Sequence, residues 1–172
     1  MNRDYALKNE EKDYLLMVEF NEVLKLRDLG KTELMHHSDA TGYTTDGRFI
    51  NIELKSRNVT LQPNCTISGT SNTSKKGYTA DTIFIESHKM ADLLLDYVYE
   101  KKVPLYVNFI NDDTVILYNL SSLKHKPKTT ALKLWNELHT GFEMAKRLEL
   151  PIQDAYIYIK EDNNWKLTHR PS

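Results

Sequence analysis

The sequence is poor in cysteine, in excess charge and in long apolar runs. Among its 172 residues there is one cysteine, Cys65, which excludes an intrachain disulfide and a cysteine-rich zinc site. This favours a reducing, intracellular setting, and we expect a cytoplasmic protein. No apolar run approaches the length of a membrane span, and the N-terminus lacks the apolar core of a signal peptide, so we expect no membrane association.

The charge balance gives no argument for nucleic acid. Twenty-three basic and 24 acidic residues leave a net charge of −1, so a DNA-binding surface would have to be local. Hydrophobic content of 40% and charged content of 27% are ordinary for a globular protein. The length suffices for one domain with a core, and no internal repeat is visible. We expect a single domain over residues 1–172.

Hydrophobic periodicity predicts a mixed α/β (α+β) fold. Apolar residues at three- and four-residue spacing indicate helices, and alternation or short apolar runs indicate strands. The predicted helices are 4–29 (ending at Gly30), 87–100 (capped by Ser87) and 129–149. The predicted strands are 32–38, 48–57, 81–86, 103–110, 114–120, 155–159 and 165–169. Residues 58–79 are polar and predicted to form a long loop, which is usually functional or disordered.

A hairpin in residues 38–57 is the most informative stretch. Asp46-Gly47 is a hairpin-turn signal, and folding there brings the Asp39 end of one strand towards the Glu53 end of the next. Ile50, Ile52 and Leu54 alternate with Phe49, Asn51, Glu53 and Lys55, so Glu53 and Lys55 share the face opposite the apolar side chains. Two carboxylates and an ammonium then converge, as a divalent-metal phosphodiesterase site requires. Asp46 is a poorer metal ligand because it lies in the turn.

Glu19 lies within the apolar stripe of the first predicted helix. A carboxylate there needs a partner, because burying an unpaired charge is costly. It either pairs with a Lys or Arg at the edge of the core, lies on a more exposed helix, or points at Asp39 and Glu53. The adjacent His36 and His37 point to opposite faces of a strand, so at most one belongs near that site.

Several basic residues are candidates for phosphate contact. Lys75 and Lys76, followed by Tyr78, form a possible loop tip with a base-stacking aromatic. Lys89 lies in the first turn of a helix, where a cation opposes the helix dipole unless it meets an anion. Lys126 belongs to a compact basic linker, KHKPK. A plain flexible loop, an exposed lysine and a solvated linker are the respective alternatives.

The chain combines Asp39, the Glu53-Leu54-Lys55 triplet and a predicted order of helix, three strands, helix and strand (αβββαβ). In these features it resembles the PD-(D/E)XK nuclease superfamily, which has a restriction-endonuclease-like fold. Ser38 stands where the family's name has proline, and Glu19 resembles the first-helix glutamate that many members carry. The resemblance covers residues 10–120, and residues 121–172 would be a C-terminal elaboration.

The resemblance implies a metal-dependent nuclease acting on DNA. Asp39 and Glu53, with the Leu54 carbonyl, would hold Mg²⁺ or Mn²⁺, and Glu19 a second ion or its water. Lys55 would orient or help deprotonate the attacking water, and Arg57 could contact the same phosphate. We expect a structure-selective or low-specificity endonuclease, with a homodimer and a phage or mobile-element origin as further expectations. The alternatives are a catalytically inactive nuclease-like domain that binds nucleic acid or protein, and an unrelated interaction protein.

Overall fold

The computed structural model describes residues 3–33, 38–70, 76–136 and 141–171. Within these ranges the chain combines two α-helices with thirteen strands, so the expected mixed α and β class is confirmed. The helices are α1 (Arg3–Leu24) and α2 (Ser87–Glu100). The strands are β1 (Arg27–Lys31), β2 (Ala40–Tyr43), β3 (Phe49–Arg57), β4 (Thr60–Leu61), β5 (Ile67–Thr70), β6 (Gly77–Ala80), β7 (Thr82–Glu86), β8 (Val103–Ile110), β9 (Thr114–Asn119), β10 (Lys128–Asn136), β11 (Gly141–Pro151), β12 (Tyr156–Glu161) and β13 (Asn164–His169).

Seven of these strands form one mixed sheet in the order β1-β2-β3-β8-β9-β12-β13. The β1-β2-β3 meander is antiparallel, whereas β8 runs parallel to β3 and is reached by a crossover that contains α2. Strands β9, β12 and β13 extend the sheet with antiparallel pairs. Two three-stranded sheets accompany it, in the orders β10-β11-β7 and β4-β5-β6.

The two faces of the large sheet pack into separate apolar cores. On one face, Met17 and Phe20 of α1 are fully buried against alternate residues of β3, β8 and β9. On the other face, α2, β7 and β11 pack against the opposite set of side chains, including Tyr106 and Tyr118. Because successive side chains of a strand point to opposite faces, every β3 residue belongs to one of these two environments. The candidate site lies on the α2 face.

The predicted hairpin, the second helix and the strands that follow it are confirmed. Thr44 and Arg48 close the β2-β3 turn, with the Thr44 N–H donating to the Arg48 carbonyl at 2.9 Å. Gly47 has φ +86°, a conformation that glycine adopts without the Cβ penalty of other residues. Strands β8 and β9 and the β12-β13 hairpin form within a residue or two of their predicted positions. The predicted Ser87 cap is wrong, because Ser87 is the first residue of α2, after Glu86 in the cap position.

The first helix ends earlier than the sequence predicts. It stops at Leu24, and Gly30, expected as its C-cap, lies in β1. The side chain of Asn21 accepts a hydrogen bond from the Leu26 N–H at 2.8 Å and donates to the Leu26 carbonyl at 3.0 Å. Lys25 adopts a left-handed conformation with φ +52°. These local bonds replace the next helical turn and direct the chain into a strand that pairs with β2.

The helix predicted over 129–149 is wrong. The chain instead forms β10 and β11, which pair with each other from Lys128↔Glu149 to Asn136↔Gly141. Residues 147–151 of β11 also pair with β7, which lies at the edge of this sheet. The three- and four-residue spacing of apolar residues is a local signal, and the antiparallel pairing of β10 with β11, which β7 extends at residues 147–151, overrides it.

Two further segments differ from expectation. The polar segment 58–79 contains β4, β5 and part of β6, so it is a small sheet and not a structureless loop. Thr32 and Ser38 lie outside any strand, and His36 and His37 fall outside the described residues. In the part of the chain that the structure describes, neither helix is long and apolar enough to cross a membrane.

Candidate functional site

Asp39 is fixed beside β3 at the point where β2 begins. Its N–H donates to the Ile52 carbonyl at 2.8 Å, which continues the β2-β3 ladder by one step. Its Oδ2 then accepts a hydrogen bond from the Leu54 N–H at 2.7 Å. The carboxylate therefore takes the place that a further β2 residue would occupy and lies against the middle of the Glu53-Leu54-Lys55 triplet.

Glu53 lies on the face of β3 that points away from α1. Ile50, Ile52 and Leu54 are buried in the α1 core, as the alternation predicts. The Glu53 side chain is only 12% exposed. Burial, and then the negative charge of Asp39, raise the pKa of Glu53 to about 7, although Lys89 and Lys55 act in the opposite direction. The structure therefore brings Asp39 and Glu53 close enough to repel each other.

Lys89, in the first turn of α2, supplies the cation nearest to Glu53 among the described residues. Its Nζ lies 3.0 Å from Glu53 Oε2. Burial lowers the pKa of Lys89, but the negative charges of Glu53 and then Asp39 raise it by more. The pKa of Lys89 therefore lies above its ordinary value. The signal in the sequence was the unfavourable position of the Lys89 cation at a helix N-terminus, which suggested that it contacts a phosphate. The anion that the structure places there is Glu53.

Lys55 and Arg57 share the face of Glu53 but have different surroundings. The Lys55 side chain is exposed, and among the described residues no carboxylate lies within 4 Å of its ammonium. The Arg57 guanidinium is half-buried and held by three acceptors. Its Nε donates to Asn108 Oδ1 at 2.7 Å, and its Nη2 donates to the Phe84 carbonyl and to Tyr106 Oη, each at 2.6 Å.

Tyr106 and Asn108 are the residues of this network that sequence reasoning missed. Tyr106 Oη donates to the Phe84 carbonyl at 2.7 Å, and burial raises the pKa of this tyrosine to about 12. Asn108 is fully buried, and within the described structure its Nδ2 has no hydrogen-bond partner. The available signal was a polar amide and a tyrosine on alternate positions of an otherwise apolar strand, VPLYVNFI. Both side chains point to the α2 face, as Glu53 does.

The structure does not bring Glu19 to Asp39 and Glu53. Its carboxylate pairs with the Lys160 ammonium on β12. Lys160 lies on the face of the sheet that α1 covers, together with Tyr156 and Tyr158. Glu53 points to the opposite face, so the sheet itself separates the two acids. Of the three alternatives for Glu19, the ion pair with a lysine is the one observed.

The other basic candidates lie elsewhere in the chain. Lys75 is outside the described residues. Lys76 is exposed immediately before β6. Lys126 is exposed in the linker before β10, next to His125, whose Nδ1 lies 2.6 Å from Oδ1 of the buried Asp154. That contact anchors the linker and leaves the lysine side chains exposed.

The donor set around Asp39 is compatible with a divalent cation. In the described residues no group of three or more His, Cys, Asp or Glu side chains converges, so the protein would supply two carboxylates. Asp39 Oδ1 and Glu53 Oε1 make no hydrogen bond to another described residue. The Leu54 carbonyl faces the Asp39 side, because N–H and C=O groups of one strand residue point the same way. Hard oxygen donors that repel one another fit Mg²⁺ or Mn²⁺.

Comparison with protein-family models found no match, and neither curated proteins nor solved structures showed a significant similarity.

Proposed function

We propose that this protein is a metal-dependent nuclease that hydrolyses DNA phosphodiester bonds and is related to the PD-(D/E)XK superfamily. The observation that carries the proposal is the pairing of Asp39 with Glu53. Asp39 Oδ2 is anchored on the Leu54 N–H at 2.7 Å, and its charge helps to raise the pKa of Glu53 to about 7. Two acids held together despite their repulsion are a common feature of metal and catalytic sites.

The order of elements supports the proposal. A helix, α1, precedes the antiparallel meander β1-β2-β3, and a crossover with α2 leads to β8, parallel to β3. With strands β4 to β7 as an insertion, this order is compatible with the αβββαβ order that the resemblance implies. Asp39 stands just before the second strand and Glu53 on the third.

Asp39, Glu53 and the Leu54 carbonyl would hold the ion. When bound, Mg²⁺ or Mn²⁺ lowers the pKa of an attacking water and offsets negative charge on the phosphate. Lys55 lies two residues beyond Glu53 on the same strand face, with an exposed ammonium that orients the water and adds positive charge beside the phosphate. The Lys89 ammonium lies 3.0 Å from Glu53 Oε2 and favours the ionised, ligating form of that carboxyl, against the burial that raises its pKa to about 7.

The test is a cleavage assay on supercoiled plasmid and on branched DNA with Mg²⁺, Mn²⁺ or EDTA. We expect cutting with either metal, none in EDTA, and a loss of at least 100-fold in Asp39→Asn, Glu53→Gln and Lys55→Ala. Asp46→Asn is the matched control, because Asp46 is an exposed turn acid paired with Arg48 at 3.0 Å. It should cut as the unmodified protein does.

Two outcomes would overturn the proposal. Cutting that survives both Asp39→Asn and Glu53→Gln would place the activity at another site or in a contaminant. DNA binding without cutting under every metal condition would favour the alternative of a catalytically inactive nuclease-like domain.

A further inference from the structure

A polar groove begins where the β3 face that carries Glu53 ends. Its cavity has a volume of about 520 Å³ and lies between the end of β3, the small β4-β5-β6 sheet and β7. We call it the β3 groove. Its lining residues that matter here are Arg57, Ser68, Gly69, Tyr78 and Phe84.

The Arg57 guanidinium gives the groove an uncompensated positive charge. All three acceptors that hold it, Asn108 Oδ1, Tyr106 Oη and the Phe84 carbonyl, are neutral. No carboxylate of the described residues lies within ion-pair distance of it, in contrast to Lys89, which pairs with Glu53. A half-buried charge without a counter-charge is costly, so an anion entering from outside would be favoured here.

Two elements connect the groove to the Asp39–Glu53 pair. Glu53, Lys55 and Arg57 are alternate residues of one strand face, so Glu53 and Arg57 are about 13 Å apart at 3.3 Å per residue. On the other side, Phe84 of β7 lines the groove, and β7 leads directly into α2, whose Lys89 holds Glu53. The groove lining includes Arg57 and Phe84 but not Glu53, so Arg57 is placed for a phosphate next to the one at Glu53.

Tyr78 forms an aromatic wall of the groove. It is 41% exposed and lies opposite Gly69 in the β5-β6 pair. A Cβ on Gly69 would come within 3.0 Å of Tyr78 Oη and 3.2 Å of its Cε1, so the absence of a side chain lets the ring lie close over β5. The ring is thereby fixed while part of its surface remains open, as stacking on a base requires.

We propose that the β3 groove binds one or two nucleotides of single-stranded DNA next to the cleaved phosphate, with Arg57 on a phosphate and Tyr78 stacked on a base. The proposal rests on the nuclease function and names the form of its substrate. A cavity of about 520 Å³ is the size of a pocket for one small molecule, so it accepts part of one strand and not a duplex. The preferred substrate then has a single-stranded segment, such as a flap or a branch.

The test measures binding without cleavage. A fluorescein-labelled 12-nucleotide single strand and the corresponding blunt duplex are titrated with the full protein in EDTA, and fluorescence anisotropy is recorded between 50 and 200 mM NaCl. We expect the single strand to bind at least tenfold more tightly than the duplex. Tyr78→Ala should weaken single-strand binding roughly 5- to 150-fold, from about 1–3 kcal/mol of stacking, while Tyr78→Phe should keep it.

Arg57→Met tests the charge separately. Loss of one phosphate contact should lower the slope of log K against log salt concentration by about 0.7 for a single strand. Tyr99→Ala is the matched control, because Tyr99 is 79% exposed on α2 and does not line the groove. If Arg57→Met fails to fold by circular dichroism, the two Tyr78 variants decide the question.

The results separate this inference from the nuclease proposal. Equal binding of single strand and duplex, or unchanged binding in Tyr78→Ala, overturns the groove assignment even if metal-dependent cutting is observed. Binding that depends on Tyr78 without any cutting supports the groove and overturns the catalytic proposal.

Discussion

The ammonium of Lys89 lies 3.0 Å from Glu53 Oε2 and joins the first turn of α2 to the centre of β3. Because this ammonium lowers the pKa of Glu53, its removal should raise that pKa further above its value of about 7. We expect Lys89→Met to move the acidic limb of the pH–rate profile for metal-dependent cleavage to higher pH. The measurement is cleavage rate against pH from 5.5 to 9 with Mn²⁺.

The control for Lys89 is Lys12→Met. Lys12 makes an exposed ion pair with Asp112 at 2.9 Å and has no contact with Glu53. An acidic limb that is the same in Lys89→Met and Lys12→Met would contradict the role assigned to Lys89.

The buried Glu53 should make the metal-free protein less stable as pH rises. Its pKa is raised from 4.5 to about 7, chiefly by burial, so the folded state holds the proton more tightly than the unfolded state. The stabilisation is complete below pH 4.5 and is lost between about pH 4.5 and 7, a change of about 3 kcal/mol at most. In Glu53→Gln this part of the pH dependence should vanish.

Urea unfolding in EDTA at pH 5 and pH 8 measures that effect. Glu161→Gln is a suitable control, because Glu161 is an exposed acid paired with Lys166 at 2.6 Å. If Glu53→Gln and the unmodified protein lose the same free energy of unfolding between the two pH values, the raised pKa is wrong.

A divalent cation should stabilise the fold independently of any cleavage. Binding to the folded state alone adds about 2.7 kcal/mol at 100 times the dissociation constant. The gain should be larger at pH 8 than at pH 5.5, because the ion competes with the proton on Glu53. Thermal unfolding with Mg²⁺ and with EDTA should show the shift in the Asp46→Asn control and not in Asp39→Asn. A shift that persists in Asp39→Asn would place the ion elsewhere.

The Tyr106 hydroxyl should contribute to stability through the Arg57 network. It accepts from Arg57 Nη2 at 2.6 Å and donates to the Phe84 carbonyl at 2.7 Å. Tyr106→Phe leaves these buried groups with fewer partners, so we expect a loss of about 1–3 kcal/mol in the free energy of unfolding. Tyr99→Phe, at an exposed tyrosine, should change it by less than about 0.5 kcal/mol. Equal stability of the two variants would show that the hydroxyl contributes nothing.

Glu19 should be dispensable for cleavage. Its carboxylate pairs with Lys160 on the α1 face, across the sheet from Glu53. We expect Glu19→Gln to cut DNA within twofold of the unmodified protein and to lose on the order of 1 kcal/mol of stability, since the ion pair is only partly buried. A hundredfold loss of cleavage without unfolding would return Glu19 to the metal site.

The strongest local signals predicted the elements that hold the site. Alternation along β3, the Asp46-Gly47 turn and the apolar runs of β8 and β9 depend on neighbours within a few residues, and those elements form as predicted. The same kind of signal failed over 129–149, where β10 and β11 pair with each other and β7 pairs with the end of β11. It also failed at the end of α1, where the side chain of Asn21 makes hydrogen bonds to the backbone of Leu26 and the helix stops.

The sequence by itself determined that Asp39, Glu53 and Lys55 belong to one hairpin, because the turn and the strand period fix which side chains share a face. Only the tertiary structure decided what meets them. Lys89 reaches Glu53 because α2 crosses over this face, and Glu19 pairs with Lys160 because α1 covers the other. Arg57 lies in a groove because strands β4 to β7 are folded against the end of β3. Long-range packing sets these contacts, and no pattern of adjacent residues specifies them.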